Sequence, residues 1–241
     1  MRAIWSTILS IAPFEGGGRQ RELLVRRSAT ARRMRLSIDP RDGCVRLTLP
    51  SRAGIRHALA WVEERRDWVE AELARLAPPK RLAPGLHVPV EDEPHLIEWQ
   101  REAARMIRRE PGRLVVGGPE ELVPGRILRW LRQEARELLD RETRELAAVA
   151  GVTIGTVSVG DQRARWGSCT SSGDIRYSWR LILMPPDVRR AIVAHEVAHR
   201  LHMDHGPHFH AAVARLHGRD PAHARRWLRA HGSGLHALGR D

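Results

Sequence analysis

The stretch from Ala194 to His205, AHEVAHRLHMDH, constrains this chain more than any other. Two histidines, His195 and His199, stand four residues apart, and both imidazoles can reach one metal ion if the residues between them are helical. Glu196 lies between them, beside such an ion but at a spacing suited to a base rather than a ligand. The spacing therefore predicts a helix that carries two metal ligands on one face.

This pattern is the H-E-x-x-H arrangement of zinc peptidases. His205 follows six residues after His199, where the chain could turn back and offer a third imidazole. Three protein ligands leave a fourth zinc position for water, which distinguishes a catalytic site from a structural one. The pattern thus favours hydrolysis of a peptide bond by water activated on one zinc ion, with Glu196 as the catalytic acid and base.

Two alternatives to this ligand set remain open at the level of sequence. His202 stands seven residues after His195, on the same side of any helix that covers it, and is an alternative third ligand to His205. Ten of the thirteen histidines lie from His195 onward. A histidine-rich amphipathic helix on the surface is therefore the second alternative.

Composition indicates a cytoplasmic globular protein. No apolar run is long enough to span a bilayer, so a membrane role is not expected. Cys44 and Cys169 are too few for a disulfide framework and are not spaced as a zinc ribbon. Residues 1–20 are interpreted as a leader that could be disordered, rather than as a signal peptide, because polar residues interrupt the apolar run.

The formal net charge of +12 raises the question of a nucleic-acid partner. The excess is divided between residues 1–149 and 150–241 rather than concentrated in one arm. Nearly all of the positive charge is arginine, with Lys80 as the only lysine. A nucleic-acid-associated module with a structural zinc therefore stays open as a second class of function, and a zinc hydrolase of a non-peptide amide or ester as a third.

Periodicity predicts an α+β fold. Alternation over 34–38 and 45–49 predicts a hairpin about the turn 39–43, and apolar spacing predicts a helix over 54–76. Short strands are expected within 82–117, and a long helix over 120–149 with Gly151 as its stop. The expected domains are a β-rich N-terminal part, 21–119, a linking helix, 120–149, and a zincin-like metallopeptidase domain, 150–241.

The site domain is expected to contain a strand over 175–181 and a helix over 187–203. The strand could lie beside the helix and pair with an extended protein or peptide substrate through backbone hydrogen bonds. Tyr177, the only tyrosine, is a candidate donor to a developing oxyanion, with structural packing as the alternative.

Several motifs together resemble the YgjP-like metal-dependent hydrolases, which are grouped with the SprT-like and WLM zincins. The residues that carry the resemblance are Arg165-Trp166-Gly167-Ser168-Cys169, Trp179-Arg180-Leu181, His195-Glu196 with His199, and His205 with Phe209. The resemblance covers most of the chain. It implies a zincin fold, zinc ligation by His195, His199 and His205, and acid–base catalysis by Glu196.

The chain departs from the usual pattern of that family at two positions. Ser178 stands where the family usually has Asn, and His210 where it usually has Trp. The zinc-ribbon tail of some SprT-like relatives is absent, since no cysteine follows Cys169. These departures leave the predicted zinc site intact and concern substrate preference.

Overall fold

The computed structural model describes residues 8–39, 42–104, 106–162 and 165–240, without the side chains of residues 8–13 and 19. The chain divides into two compact units, Met1–Pro78 and Pro79–Asp241. Both units combine helices with sheets, so the predicted α+β class is confirmed. No helix among the described residues is long and apolar enough to cross a bilayer.

The first unit contains a four-stranded sheet in the order β1-β2-β4-β3. Its strands are β1 Ile8–Gly16, β2 Arg19–Ser28, β3 Arg35–Ile38 and β4 Val45–Pro50. Strands β3 and β4 pair antiparallel, which confirms the predicted hairpin, while β2 and β4 pair parallel. Strand β1 occupies much of the expected leader because it pairs with β2, and residues 1–7 lie outside the described residues.

The helix predicted over 54–76 is in fact two helices, α1 Ile55–Glu63 and α2 Arg66–Ala74. The chain leaves helical geometry at Arg65, whose φ and ψ are −109° and 18° and whose N–H donates three residues back, to Val62. Apolar spacing missed the break because the buried stripe continues through it. Ala58, Val62, Val69 and Leu73 all remain buried.

The second unit begins with a second four-stranded sheet in the order β5-β6-β8-β7. Its strands are β5 His87–Val90, β6 Glu93–Trp99, β7 Arg108–Glu110 and β8 Arg113–Val116. Strand β7 consists of charged residues, so the sequence showed no alternation of apolar and polar residues there. A 3₁₀ turn, Glu120–Leu122, then leads into α3, Val123–Ala150.

Helix α3 ends at Gly151 as predicted, because this glycine adopts the left-handed conformation with φ 68°. Its buried side chains and those of β5, β6 and β8 belong to the same core as the site region. The expected domain limits at 119/120 and 149/150 therefore fall within one compact unit. Val149 is 71% exposed, because Leu146 and Ala147 face the core at this end of the helix.

The remaining elements surround the histidine-rich stretch. A three-stranded sheet in the order β10-β11-β9 contains β9 Val157–Gly160, β10 Gly167–Cys169 and β11 Ile175–Ser178. The three last helices are α4 Pro186–Ala198, α5 Pro207–His217 and α6 Ala222–Ala237.

The strand predicted over 175–181 ends at Ser178 and is followed by a 3₁₀ helix, Trp179–Leu183. Its five side chains are all buried, so no face alternates between core and solvent as it would in a half-exposed strand. The Ser178 hydroxyl accepts a hydrogen bond from the Arg180 N–H, which caps the 3₁₀ helix.

Arg180 joins the C-terminal end of α6 to this 3₁₀ helix. Its side chain is 1% exposed, and it donates from Nε to the Leu235 carbonyl (2.9 Å) and from Nη2 to the Leu238 carbonyl (3.0 Å). Nη1 forms an ion pair with Asp161. One planar guanidinium thus satisfies three buried or half-buried acceptors.

Replacing Arg180 by Lys should lower the free energy of unfolding by about 2 kcal/mol or more, because one ammonium cannot reach all three acceptors and buried carbonyls lose their donors. Urea denaturation measures the change. Arg132→Lys, on the exposed face of α3, is the control and should change stability by less than about 0.5 kcal/mol. Equal stabilities of the two variants would contradict this role for Arg180.

Candidate metal centre

Helix α4 places two candidate site residues, His195 and Glu196, near its C-terminal end. Pro186 occupies the first turn, where a missing N–H is harmless, and Asp187 lies near the positive end of the helix dipole. Most of the helix is buried, including Ala194 and Ala198 on either side of the site residues. The helix is therefore part of the core rather than a histidine-rich surface helix.

The predicted helix over 187–203 ends earlier, at Ala198, and His199 is its C-cap. The N–H groups of Leu201 and His202 both donate to the Ala198 carbonyl, so the chain tightens and leaves the helix axis. The apolar pattern did not reveal this end because Leu201 keeps helical spacing, although it is only half-buried.

The chain then turns back between residues 203 and 206, where the Gly206 N–H donates to the Asp204 carboxylate at 3.4 Å. Helix α5 starts at Pro207, immediately after the turn. This turn carries His205 to the end of α4, as the sequence suggested.

Three imidazoles meet at this point. One ring nitrogen from each of His195, His199 and His205 lies within 4.8 Å of the other two. The Nε2 atoms of His195 and His205 are 3.4 Å apart. These three side chains could hold one metal ion between them.

Phe209 lies against all three imidazoles. Its ring centroid is 4.8 Å from that of His195, 4.6 Å from that of His199 and 4.6 Å from that of His205. The ring is fully buried. Phe209 therefore forms the apolar support of the cluster.

His202 is not part of the cluster. Its ring stacks on that of His208, with centroids 5.8 Å apart. Its backbone carbonyl instead accepts a hydrogen bond from His199 Nδ1 at 3.3 Å. This bond fixes the tautomer that leaves the His199 Nε2 lone pair available to a metal.

Burial shapes the electrostatics of the site. It lowers the pKa of His195 to about 4, with further lowering by His199, His205 and His210, so this imidazole is neutral and ready to bind metal at pH 7. Burial also lowers the pKa of His199. Burial raises the pKa of Glu196 to about 7, against the opposing effect of the Arg165 guanidinium. A carboxyl group in that range can both accept and return a proton.

Glu196 packs against the backbone of Gly167 in β10. A Cβ atom at residue 167 would lie 2.5 Å from Glu196 Oε1 and 2.7 Å from its Cγ, so only glycine fits here. Reasoning from the sequence did not assign this function to Gly167. The only signal was its place in the Trp166–Cys169 motif.

Tyr177 does not face the site. It is fully buried, and its hydroxyl hydrogen-bonds that of Thr143 on α3 at 3.0 Å. Burial also raises its pKa. Its burial and its bond to Thr143 favour the packing interpretation over the candidate role as an oxyanion donor, which stays a prediction.

The expected pairing of the strand over 175–181 with a substrate is wrong. Strand β11 is the central strand of its sheet, and its two edges are taken by β9 and β10. Strand β10 is at the edge of this sheet and contains Gly167, which contacts Glu196.

A cavity of about 340 Å³ opens beside His195 and Glu196. Its apolar wall is formed by Trp166, Ala191, Ile192, Val213, Pro221, Ala224 and Leu228. Arg165, Arg225 and His210 add polar groups. His210, one of the two departures from the family pattern, therefore lines this cavity.

Comparison with known proteins agrees with this geometry. The family model described as YgjP-like, metallopeptidase domain, matches residues 32–231. No curated protein and no solved structure matches the chain. Because the family model spans most of the sequence, this chain belongs to the YgjP-like metallopeptidase family.

Proposed function

We propose that this protein is a zinc-dependent metallopeptidase that uses Glu196 as its acid–base residue. The observation that carries the proposal is the approach of three imidazole nitrogens to within 4.8 Å of one another, beside that buried carboxylate. Membership in a metallopeptidase family supports the same class of reaction.

The donor set fits zinc. Three imidazoles suit a borderline-soft ion that prefers nitrogen and sulfur ligands, and the hydrogen bond from His199 to the His202 carbonyl provides the usual outer-shell support. When bound, a zinc ion supplies a Lewis acid for the scissile carbonyl and lowers the pKa of water. His195, His199 and His205 would hold it.

Glu196 accepts a proton from the attacking water and returns it to the leaving amine nitrogen. Its place beside His195 in the same helical turn puts the carboxylate next to the metal position without making it a ligand. Contact with Gly167 fixes the carboxylate against the edge strand β10. A general base needs a fixed position near the proton and a pKa near the working pH, and burial raises the pKa of Glu196 into that range.

An extended peptide can add to the outer edge of β10 through backbone hydrogen bonds. A substrate side chain next to the scissile bond would then enter the cavity that Trp166 and Val213 help to line. The apolar wall favours a large apolar side chain.

The other classes of function have weaker support. A structural zinc in a nucleic-acid-associated module would be expected to have four protein ligands, whereas three histidines converge here. A non-peptide amide or ester would use the same water chemistry, and the family model favours peptides. The two free thiols, Cys44 and Cys169, support a reducing, cytoplasmic location.

The ligand assignment predicts different effects of two histidine substitutions. His205→Ala removes a ligand nitrogen and should weaken zinc binding on the order of a hundredfold or more, whereas His202→Ala keeps the carbonyl that bonds His199 and should bind zinc as the native chain does. Competition with a chromophoric chelator measures both affinities. Loss of zinc in the His202 variant alone would make the assignment wrong.

The role of Glu196 is tested by its isosteric amide. Glu196→Gln keeps the three imidazoles and should retain native zinc stoichiometry, yet cleavage of an unfolded protein should slow on the order of 10²–10⁴-fold because the amide accepts no proton. Metal analysis and a gel-based cleavage assay are run on both proteins. Full activity of the zinc-loaded variant would exclude Glu196 as the base.

The cavity predicts a change in side-chain preference. Val213→Phe fills part of the 340 Å³ space and should reduce kcat/KM for peptides with a large apolar residue at the scissile bond on the order of tenfold relative to those with alanine. Ala211→Phe, at an exposed position of the same helix, is the matched control. Thermal unfolding checks that both variants fold, and an unchanged ratio in the Val213 variant would place the substrate elsewhere.

A further inference from the structure

The first unit contains an unusual concentration of arginine. Residues 23–38 and 43–62 contain eight arginines and no aspartate or glutamate. The eight are Arg26, Arg27, Arg32, Arg33, Arg35, Arg46, Arg52 and Arg56. We call this set the arginine surface.

Strand pairing brings these residues to one end of the sheet. Arg26 on β2 and Arg35 on β3 are both in register with Thr48 on the intervening strand β4. Residues in register point to the same face, so two strand spacings, about 10 Å, separate the backbone positions of the two arginines. Arg46, two residues before Thr48, projects from that face as well.

Loops at the same end of the sheet contain further residues of the arginine surface. Arg27, near the end of β2, donates to the carbonyls of Pro50 (3.3 Å) and Ser51 (2.6 Å), which ties the start of the 51–54 loop to this end. Arg32 and Arg33 lie in the connection from β2 to β3, and Arg52 in the connection from β4 to α1.

Most of these guanidiniums lack a carboxylate partner. Arg46 pairs with Asp39 at 3.1 Å. Arg32, Arg33, Arg35, Arg52 and Arg56 are exposed, and none forms an ion pair with another residue of the described ranges. Like charges are thus held together without neutralisation, which favours binding of a polyanion.

The acidic residues of the first unit are concentrated elsewhere. Five of the nine fall within residues 63–72, on α2 and around its start, whereas Asp39 and Asp42 lie between the two arginine-containing segments. There Glu63 pairs with Arg66, and Glu64 with Arg65. Charge in this unit is therefore separated by region and is not a uniform consequence of an arginine-rich composition.

From this arrangement we propose that the arginine surface binds the phosphate backbone of double-helical nucleic acid, without sequence preference. Arginine forks match phosphate oxygens, and several of them on a rigid sheet can contact successive phosphates. Residues 23–38 and 43–60 contain no Phe, Tyr or Trp on which an unpaired base could stack, and His57 is their one aromatic ring. Binding therefore depends on contacts with the phosphate backbone of the nucleic acid and is strongly salt-dependent.

An anionic bilayer is a poorer match for this surface. Binding to a membrane surface adds buried apolar area to charge, and Ile55, 38% exposed, is the exposed large apolar residue next to these arginines. Anionic vesicles therefore serve as the competing ligand in the test.

The experiment measures fluorescence anisotropy of a short mixed-sequence DNA duplex with the full-length protein between about 50 and 200 mM salt. The native chain should bind with a steep salt dependence. Arg32→Glu, Arg33→Glu and Arg35→Glu together should weaken binding on the order of tenfold or more and reduce the slope of log Kd against log salt by about 0.9 for each lost phosphate contact. Arg52→Glu with Arg56→Glu is a second, independent variant.

The control reverses the same number of charges elsewhere. It is the triple variant Arg129→Glu, Arg132→Glu and Arg136→Glu. These three arginines are on the exposed face of α3 in the second unit, so the variant should keep most of the affinity for the duplex. Circular dichroism checks that all variants fold. Equal losses in the control and the arginine-surface variants, no binding at about 50 mM salt, or tighter binding to anionic vesicles than to the duplex would each overturn the proposal.

Discussion

Burial of one aromatic ring holds the metal centre together. Phe209 contacts all three imidazoles, and complete burial of such a ring contributes about 2–3 kcal/mol. The ring comes four residues after His205 on α5, so packing it against the end of α4 also returns that histidine to His195 and His199. The turn between residues 199 and 206 buries little apolar surface of its own, since Leu201 is only half-buried and Met203 is 53% exposed. The apolar contact therefore positions ligands that would otherwise depend on the metal alone.

Helix α4 is itself positioned by buried charge. Arg189 donates from Nε and Nη2 to Glu142 Oε1 on α3, at 3.0 and 2.8 Å, and from Nη2 to Glu91 Oε1 at 3.2 Å. A buried ion pair adds little net stability but is costly to break, so it favours one arrangement of the helices over others. That arrangement places Glu196 inside the core, where its surroundings raise its pKa. Burial of this carboxyl group costs folding free energy, and a role in the reaction accounts for its place in the core.

Local features of the site were predictable from the sequence, and contacts between distant segments were not. The spacing of His195, His199 and His205 predicted their convergence because helix geometry and one turn join residues this close in the chain. The contact of Gly167 with Glu196 brings together segments that no periodicity relates. The direction of Tyr177 was likewise undetermined, since an alternating strand pattern does not say which buried face meets α3. The predicted end of helix α4 was wrong for a similar reason. The helix ends at Ala198 because of backbone hydrogen bonds to the Ala198 carbonyl, and apolar spacing does not reveal such bonds.

Arginine has two distinct physical roles in this chain, and composition alone does not separate them. In the second unit, Arg180 and Arg189 are buried, and their donors meet carbonyls and carboxylates that fix neighbouring elements. In the first unit, Arg32 and Arg35 are exposed and have no such acceptors among the described residues. A bias toward arginine codons would raise the number of arginines but would not remove acidic residues from the same two segments. Separation of charge within one unit therefore points to an external anion rather than to folding as the reason for these side chains.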